Sequence, residues 1–297
     1  MYNDEIKKAF IETRKDYEQT YSVLFNQTAP YEAHYGKDVC DFTFSELIYM
    51  YKMWNLRSDS TLWLKNSYLK YYEVWANENG YKNSLESSFN IVTTDILQQC
   101  INQSLRKIGV ISRDELLKWI DQSANPREQF MTLALFEFGK GRSYEDIFFA
   151  RMEDINMAKH QMKLHSGRVV EISDELIKLA NKSSKTDEYF LNEKDSAPLI
   201  DDGTIIKRFR NSSGELRKGL VVYNGIRKLL KDTELGNYVS TLNIESSGMI
   251  WFIKEKAKQA NMKPADYLMA NRDLVGNQFH KKQIIVKTFV AKYGDFL

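Results

Sequence analysis

The chain has 297 residues, of which 43% are hydrophobic and 28% charged, with 4 prolines, 14 glycines and a formal net charge of +2. At roughly 150 residues per domain this length predicts two domains, each with its own core. The composition excludes collagenous, low-complexity and wholly disordered proteins.

The apolar runs and the cysteines of the chain exclude further classes of protein. No apolar run approaches the ~20 residues of a bilayer span, and the first fifteen residues lack a hydrophobic signal core. We therefore expect a cytoplasmic protein with no membrane partner. Cys40 and Cys100 have no second cysteine nearby, which argues against a disulfide scaffold and against a zinc module.

Basic charge is concentrated late in the chain. Residues 1–150 carry 17 Lys or Arg and 21 Asp or Glu, whereas residues 151–297 carry 25 and 19. Eight cations fall within residues 205–231, a candidate phosphate-contacting surface, although a solvated helix face would have the same pattern. Residues 1–50 hold nine acids and five bases, which suits self-association or control by a protein or peptide regulator better than phosphate contact.

Helical periodicity dominates the first 108 residues. The first helix is predicted to end between Asn26 and Pro30. A Thr43-x-x-Glu46 capping box predicts the start of a second helix, and a third is predicted to end near Asn79-Gly80. With a fourth helix over residues 93–107, we expect a helix and loop over residues 1–40 and a helical bundle over residues 41–108.

A joint over residues 107–111 is predicted to lead into a second domain, residues 112–297. Ser112 opens a helix there. Residues 126–138 are apolar on most sides, as in a central buried helix. A further helix is predicted over residues 143–150.

Strands are predicted only after this helical stretch. Residues 155–164 and 167–172 alternate as strand, turn and strand, and a helix follows over residues 173–181. The predicted fold is therefore mainly α-helical with a small β-sheet.

This order of elements resembles the catalytic domain of the tyrosine recombinases, the phage integrase family. The matching text is Phe138 to Asp146, which reads Phe-Gly-Lys-Gly-Arg-Ser-Tyr-Glu-Asp, followed by Met152 to Ile155. Residues 43–108 likewise resemble the family's helical, SAM-like core-binding domain. The resemblance covers residues 40–297 and implies two domains that close around a DNA duplex.

The family's catalytic residues are largely missing from this chain. Ser143 stands where the first catalytic arginine belongs, and Arg142 replaces it only with a one-residue shift. The hairpin at residues 166–168 has no lysine at its turn. Residues 242–250, which precede an apolar helix as the family's His-x-x-Arg motif does, contain neither histidine nor arginine. Only Tyr293 stands where the nucleophile belongs.

The missing catalytic residues imply that the chain keeps the recombinase fold but does not cleave DNA. Two arginines of the family stabilise the charge that develops in phosphoryl transfer, and losing one such group commonly costs ~10² to 10⁴-fold in rate. We therefore expect Arg142 and Tyr293 to be vestigial, and the chain to be no enzyme, with no cofactor and no metal site.

A DNA clamp without cleavage resembles the integrase-like lysogeny repressors of SPβ-type Bacillus phages. This resemblance implies a sequence-specific transcriptional repressor that binds a double-stranded DNA operator and maintains lysogeny. Two alternatives stay open. The first is a divergent, active recombinase that uses Arg142 and Tyr293, and the second is an accessory protein that has lost its affinity for DNA.

The resemblance and the charge pattern together suggest the DNA contacts. Cations on phosphates set affinity and register, whereas base discrimination needs Arg, Asn or Gln in a groove. Asn66, Asn102 and Gln103 are candidates for reading bases. The predicted DNA-binding residues are Arg57, Lys65, Arg106, Lys107, Lys140, Arg142, Arg168, Lys207, Arg208 and Arg210.

Overall fold

A computed structural model describes the chain except for residues 57, 85, 103, 105–108, 193, 210–217, 232, 234, 235, 237, 282, 283 and 285, and the side chain of residue 218. The chain divides into two compact units, residues 1–107 and 108–297. Both units are mainly helical, and the described strands form two small three-stranded sheets in the second unit. The predicted fold class is thus confirmed. None of the described helices has the length and apolarity that crossing a bilayer requires.

The first unit is a helical bundle around an aromatic core. Phe10, Phe25 and Tyr72 meet edge to face, with ring centroids 5.2 Å apart for Phe10 and Tyr72 and 4.8 Å apart for Phe25 and Tyr72. Rings of this size bury more apolar area than any other side chains, so they dominate the stability of the core. The helices are α1 (Asp4–Glu12), α2 (Glu18–Tyr35), α3 (Phe44–Met53), α4 (Asp59–Glu78) and α5 (Thr94–Cys100).

Helix α2 runs past the proline that was predicted to end it. Pro30 lies inside the helix, which ends only at Tyr35, with Gly36 at φ 65° as its cap. The carboxylate of Glu32 explains the extension, because it accepts hydrogen bonds from Lys7 Nζ and from Thr28 Oγ1 in the core. These tertiary contacts hold a turn that the missing N–H of proline would otherwise weaken.

The predicted helix over residues 93–107 is too long. Helix α5 ends at Cys100, and Ile101 is extended. The chain leaves the helix because Asn102 N donates to the carbonyl oxygen of Leu56 at 2.7 Å. Residues 103 and 105–107 of that prediction lie outside the described residues.

The second unit is built around one buried helix. All thirteen residues of Pro126–Phe138 are buried, as predicted for a central helix. Its helices are α6 (Arg113–Gln122), α7 (Pro126–Phe138), α8 (Glu145–Phe148), α9 (Asp174–Ser184), α10 (Lys218–Lys231), α11 (Thr241–Gln259), α12 (Pro264–Ala270), α13 (Arg272–Gln278) and α14 (Val286–Tyr293).

Two predicted helix positions in this unit need correction. The helix expected over residues 143–150 spans only Glu145–Phe148, because Ser143 and Tyr144 adopt left-handed backbone with φ 53° and 65°. Residues 242–250 do not precede an apolar helix but form the first half of α11 itself. Ser240 caps this helix by accepting a hydrogen bond from Asn243 N at 3.3 Å.

Both sheets are antiparallel. The first contains β1 (Ile155–Asn156), β2 (Gln161–Lys163) and β3 (Val169–Glu171), and Met162 pairs with Ile155 on one side and with Val170 on the other. The predicted strand, turn and strand is confirmed for β2 and β3, but residues 155–164 form two strands, because a 3₁₀ turn at Met157–Lys159 separates β1 from β2. The second sheet, β4 (Glu188–Phe190), β5 (Ser196–Ile200) and β6 (Arg208–Phe209), was not predicted.

Candidate nucleic-acid interface

Segments that are far apart in sequence converge in the second unit, and they include those that carry the family resemblance. They are the loop after α7, the β2–β3 hairpin, the start of α11, the end of α13 and the last turn of α14. Gln278, the last residue of α13, connects this helix to α7 and to β3. Its Nε2 donates to the carbonyl oxygen of Glu137 in α7 at 2.9 Å and to that of Glu171 in β3 at 2.8 Å. The chain order of the recombinase-like elements thus produces one cluster.

Arg168, predicted to contact DNA, is held inside this cluster. Its Nη2 forms an ion pair with Asp146 Oδ2 at 2.8 Å, and its Nη1 donates to the carbonyl oxygen of Gln278 at 2.9 Å. Asp146 Oδ1 also accepts from the backbone N–H of Ser166 at 2.8 Å. Only a tenth of the Arg168 side chain is exposed. The guanidinium therefore fixes the hairpin turn instead of projecting toward a phosphate.

Asp146 is a buried carboxylate that stays ionised. Burial raises the pKa of Asp146, but hydrogen bonds from Arg168 and from Ser166 outweigh it and hold the pKa below the usual 3.8. Gly141 leaves room for this carboxylate, since a Cβ at position 141 would overlap Asp146 Oδ2. The pair Asp146 and Arg168 is thus a neutral, closed contact.

A second buried carboxylate, Glu245, lies at the start of α11. Glu245 is 1% exposed. Its Oε1 accepts from the backbone N–H of Lys140 at 3.3 Å, and its Oε2 lies 3.1 Å from Lys281 Nζ. Gly139, at φ 74°, makes room for it, because a Cβ there would lie 2.8 Å from Glu245 Oε1. The cluster therefore contains two carboxylates, and each neutralises one cation.

Tyr293, the candidate nucleophile, is buried at the end of α14. Its hydroxyl donates to Ser246 Oγ at 3.0 Å, and its ring centroid lies 5.0 Å from that of Phe289. Only 9% of the residue is exposed. Ser246 belongs to the segment in which neither a histidine nor an arginine was found, so the hydroxyl bonds to a serine, while Lys292 Nζ lies 5.1 Å from the centre of the ring.

Lys140 and Arg142 are the predicted site residues that point into solvent beside this cluster. Both are exposed, and neither side chain has an ion-pair partner within the described part of the chain. They follow Gly139, which ends α7 as predicted. Exposed, unpaired cations of this kind can contact backbone phosphates.

Lys207 and Arg208 correct the prediction of a basic surface over residues 205–210. Lys207 is 3% exposed and pairs with Asp187 at 2.6 Å. Arg208 Nε donates to Asp202 Oδ2 at 2.6 Å, although half of its side chain is exposed. Lys207 is buried because it follows Ile205 and Ile206 into the core. Arg210 lies outside the described residues.

In the first unit, Lys65 is partly buried against α3. Its ammonium lies 4.6 Å from the centre of the Trp54 ring and donates to Gln27 Oε1, and burial lowers its pKa. Asn66, a candidate for reading bases, is buried and accepts from Tyr51 Oη at 2.7 Å, so that assignment is wrong.

Asn102 donates through Nδ2 to Asn55 Oδ1 at 2.7 Å, so its side chain holds the turn after α5 to the turn after α3. The remaining candidates of this unit lie outside the described residues. These are Arg57, Gln103, Arg106 and Lys107.

Sequence reasoning missed the two carboxylates. Asp146 was used only to align a motif, and Glu245 was not singled out. One signal was present: Glu245 is the only charged residue between Glu234 and Lys254. A charged side chain that is buried is nearly always paired, so a single charge in such a segment indicates a candidate buried ion pair. Among the described residues, no group of three His, Cys, Asp or Glu is placed to hold a metal ion.

Comparison with protein families agrees with this architecture. The family described as "MrpR, C-terminal catalytic domain" matches residues 110–293, and the family "MrpR, N-terminal core-binding domain" matches residues 1–78. A core-binding domain followed by a catalytic-type domain is the arrangement of a tyrosine-recombinase-like protein. No curated protein matches the chain. The chain belongs to the MrpR family.

Proposed function

We propose that this member of the MrpR family is a sequence-specific DNA-binding repressor that maintains phage lysogeny, built on a tyrosine-recombinase fold that no longer cleaves DNA. It would act in the cytoplasm on a double-stranded operator. The observation that carries the proposal is the buried carboxylate of Glu245, which lies in the segment that resembles the family's His-x-x-Arg motif but has neither of its residues.

The charge of the cluster argues against cleavage. Phosphoryl transfer places negative charge on the non-bridging oxygens, and catalysis depends on preorganised cations aimed at them. Here Asp146 engages Arg168 and Glu245 engages Lys281. A phosphate brought into this cluster would meet two neutralised ion pairs, and two carboxylates would oppose further negative charge.

The position of Tyr293 also argues against DNA cleavage. A nucleophilic tyrosine needs a base that removes its proton and cations that stabilise the phenolate. The Tyr293 hydroxyl instead bonds to Ser246, which is neither a base nor a cation. We therefore assign Tyr293 to the packing of α14 against the start of α11.

DNA binding needs only the cations that remain free. Lys140 and Arg142 are exposed beside the cluster, and their charges are not consumed by the described carboxylates. Phosphate contacts of this kind supply affinity and fix register without chemistry. The predicted contacts at Arg57, Arg106, Lys107 and Arg210 remain part of this proposal.

The proposal is tested by a gel-shift of the purified chain against fragments of its own genome, together with a reporter gene placed behind each retained fragment. We expect one or a few fragments to form discrete complexes that weaken steeply with salt, and those fragments to silence the reporter when the chain is expressed. Binding of all fragments with equal affinity, or no binding at low salt, would contradict a sequence-specific repressor.

One observation favours a second candidate function. The guanidinium of Arg142 is exposed and has no ion-pair partner among the described residues. A divergent recombinase could use this arginine together with Tyr293. It would differ from a repressor by leaving a covalent adduct between the tyrosine and the DNA.

A further inference from the structure

A separate cavity of about 270 Å³ lies in the second unit between α7, α10 and the second sheet. Met131, Phe209 and Val221 line its apolar walls, and the exposed Asn224 and Lys228 form part of its rim. None of these residues belongs to the cluster around Asp146 and Glu245. Arg208, one of the predicted DNA-binding residues, also lines the cavity.

Arg127 lines this cavity with an unsatisfied charge. It is 6% exposed, and its Nε and Nη1 have no hydrogen-bond partner among the residues that the structure describes. The guanidinium carbon lies 5.0 Å from the ring centre of Phe209 and 5.9 Å from that of Tyr189. Buried polar groups are nearly always hydrogen-bonded, and arginine keeps its charge in proteins. Ring contacts alone leave its donors unused.

The carboxylates nearest Arg127 are each hydrogen-bonded to another group. Glu128 also lines the cavity, but it accepts a hydrogen bond from Tyr189 Oη, and burial raises its pKa. Asp202 pairs with Arg208. Lys228 adds a further positive charge at the rim, where its Nζ donates to Tyr189 Oη at 2.8 Å. The described residues thus leave a surplus of positive charge in a mostly apolar cavity.

We infer that this cavity binds a small organic anion, whose carboxylate or phosphate group pairs with Arg127 while an apolar or aromatic part lies against Met131, Phe209 and Val221. A charge-assisted hydrogen bond from Nε or Nη1 to either head group would satisfy a donor that the described residues leave unused. An apolar cavity with a few convergent polar groups is the common form of small-molecule sites. The volume suits a ligand with about one ring.

Calorimetric titration of the full chain with phenyl phosphate, benzoate and inorganic phosphate tests this inference. We expect at least one of the two organic anions to bind one site per chain with saturation below about 10 mM. The tighter of the two identifies the head group. Inorganic phosphate is expected to bind about tenfold more weakly, because it cannot use the apolar walls.

Variants separate the site from nonspecific attraction. Arg127→Gln is expected to weaken the organic anion about tenfold or more, and the exposed Arg151→Gln, which removes the same charge elsewhere in the unit, should leave the affinity unchanged. Phe209→Ala keeps the charge and removes one wall, so it should weaken the organic anion but not inorganic phosphate. This second variant keeps the test decisive if Arg127→Gln does not fold.

Three results would overturn the inference. They are the absence of saturable binding with all three probes, equal affinity for the organic anions and inorganic phosphate, and organic-anion binding that neither Arg127→Gln nor Phe209→Ala changes. Each would mean that Arg127 is a structural cation held by its two rings.

Discussion

At the scale of single residues, the environment of a cation decides its role. Arg168, Lys207 and Arg142 have the same formal charge, and the sequence placed all three on DNA. The structure pairs Arg168 with Asp146 and Lys207 with Asp187, and leaves Arg142 exposed. Charge patterning finds cations, but the carboxylates that neutralise them come from distant parts of the chain.

Arg168→Gln is expected to lower the free energy of unfolding by about 3 kcal/mol, because it leaves the Asp146 carboxylate buried without its cation. Urea unfolding followed by circular dichroism measures this loss. The matched control is Arg142→Gln, which removes an exposed guanidinium and should change stability by less than ~0.5 kcal/mol. Equal losses in the two variants would mean that Arg168 does not stabilise the hairpin.

The same pair predicts a dependence of stability on pH. The folded pKa of Asp146 lies below its usual 3.8, so the folded state binds fewer protons at this group than the unfolded chain does. The stability that Asp146 contributes is therefore complete above the unfolded value, and it is lost as the pH falls from there through the folded pKa. Urea midpoints between about pH 6 and about pH 3 should fall less steeply in Arg168→Gln than in the parent chain. Parallel pH profiles would contradict this assignment.

At the scale of elements, the close crossing of α7 and α11 organises the second unit. A Cβ at Gly248 would overlap the carbonyl oxygen of Phe136, so only glycine permits this approach. The crossing positions Glu245 and Ser246, which lie less than one turn from Gly248 on the same helix. The site and the core thus depend on the same contact.

Gly248→Ala is expected to destabilise the second unit by about 3 kcal/mol, because the backbone of α7 must move to admit one methyl group. Thermal unfolding measures the shift. Gly294→Ala is the control, since its Cβ would meet only Val290 Cγ1 at 3.6 Å, and it should be nearly neutral. A neutral Gly248→Ala would show that the two helices do not pack this closely.

Elements with a strong local pattern could be predicted from the sequence, and elements without one could not. The capping boxes at Thr43 and Ser112 begin α3 and α6 as expected. The second sheet was missed because its strands are short and half-exposed, and because Pro198 lies inside β5. Residues 1–40, set apart in the sequence, contribute Phe10 and Phe25 to the same core as α4.

The candidate site could likewise be predicted only in part from the sequence. Family resemblance located the segments that form it and identified Arg142 as a vestigial catalytic candidate, and the structure shows that this arginine is exposed. It did not reveal Glu245, because the partners of this carboxylate lie about a hundred residues away at Lys140 and thirty-six residues away at Lys281. Such contacts depend on how the helices assemble and leave no periodic trace in the sequence.

At the scale of the whole molecule, we propose that the protein holds DNA through backbone phosphates without cleaving it. The double variant Lys140→Ala/Arg142→Ala is expected to reduce the slope of log affinity against log salt by about 2, one for each lost phosphate contact. Fluorescence anisotropy with an operator duplex at several salt concentrations measures the slope. Lys178→Ala/Lys185→Ala removes two exposed cations at α9 and should leave the slope unchanged. An equal loss in both double variants would place the DNA elsewhere.

The proposal that the protein binds DNA without cleaving it is tested by incubating the chain with its bound DNA fragment and then running denaturing electrophoresis. The fragment is nicked so that a strand transferred to tyrosine cannot be religated. We expect all DNA to dissociate from the protein, and we expect Tyr293→Phe to behave like the parent chain in this assay. A band that survives denaturation in the parent chain and disappears in Tyr293→Phe would show that Tyr293 still attacks phosphate. That result would contradict the assignment of this cluster as a site without chemistry.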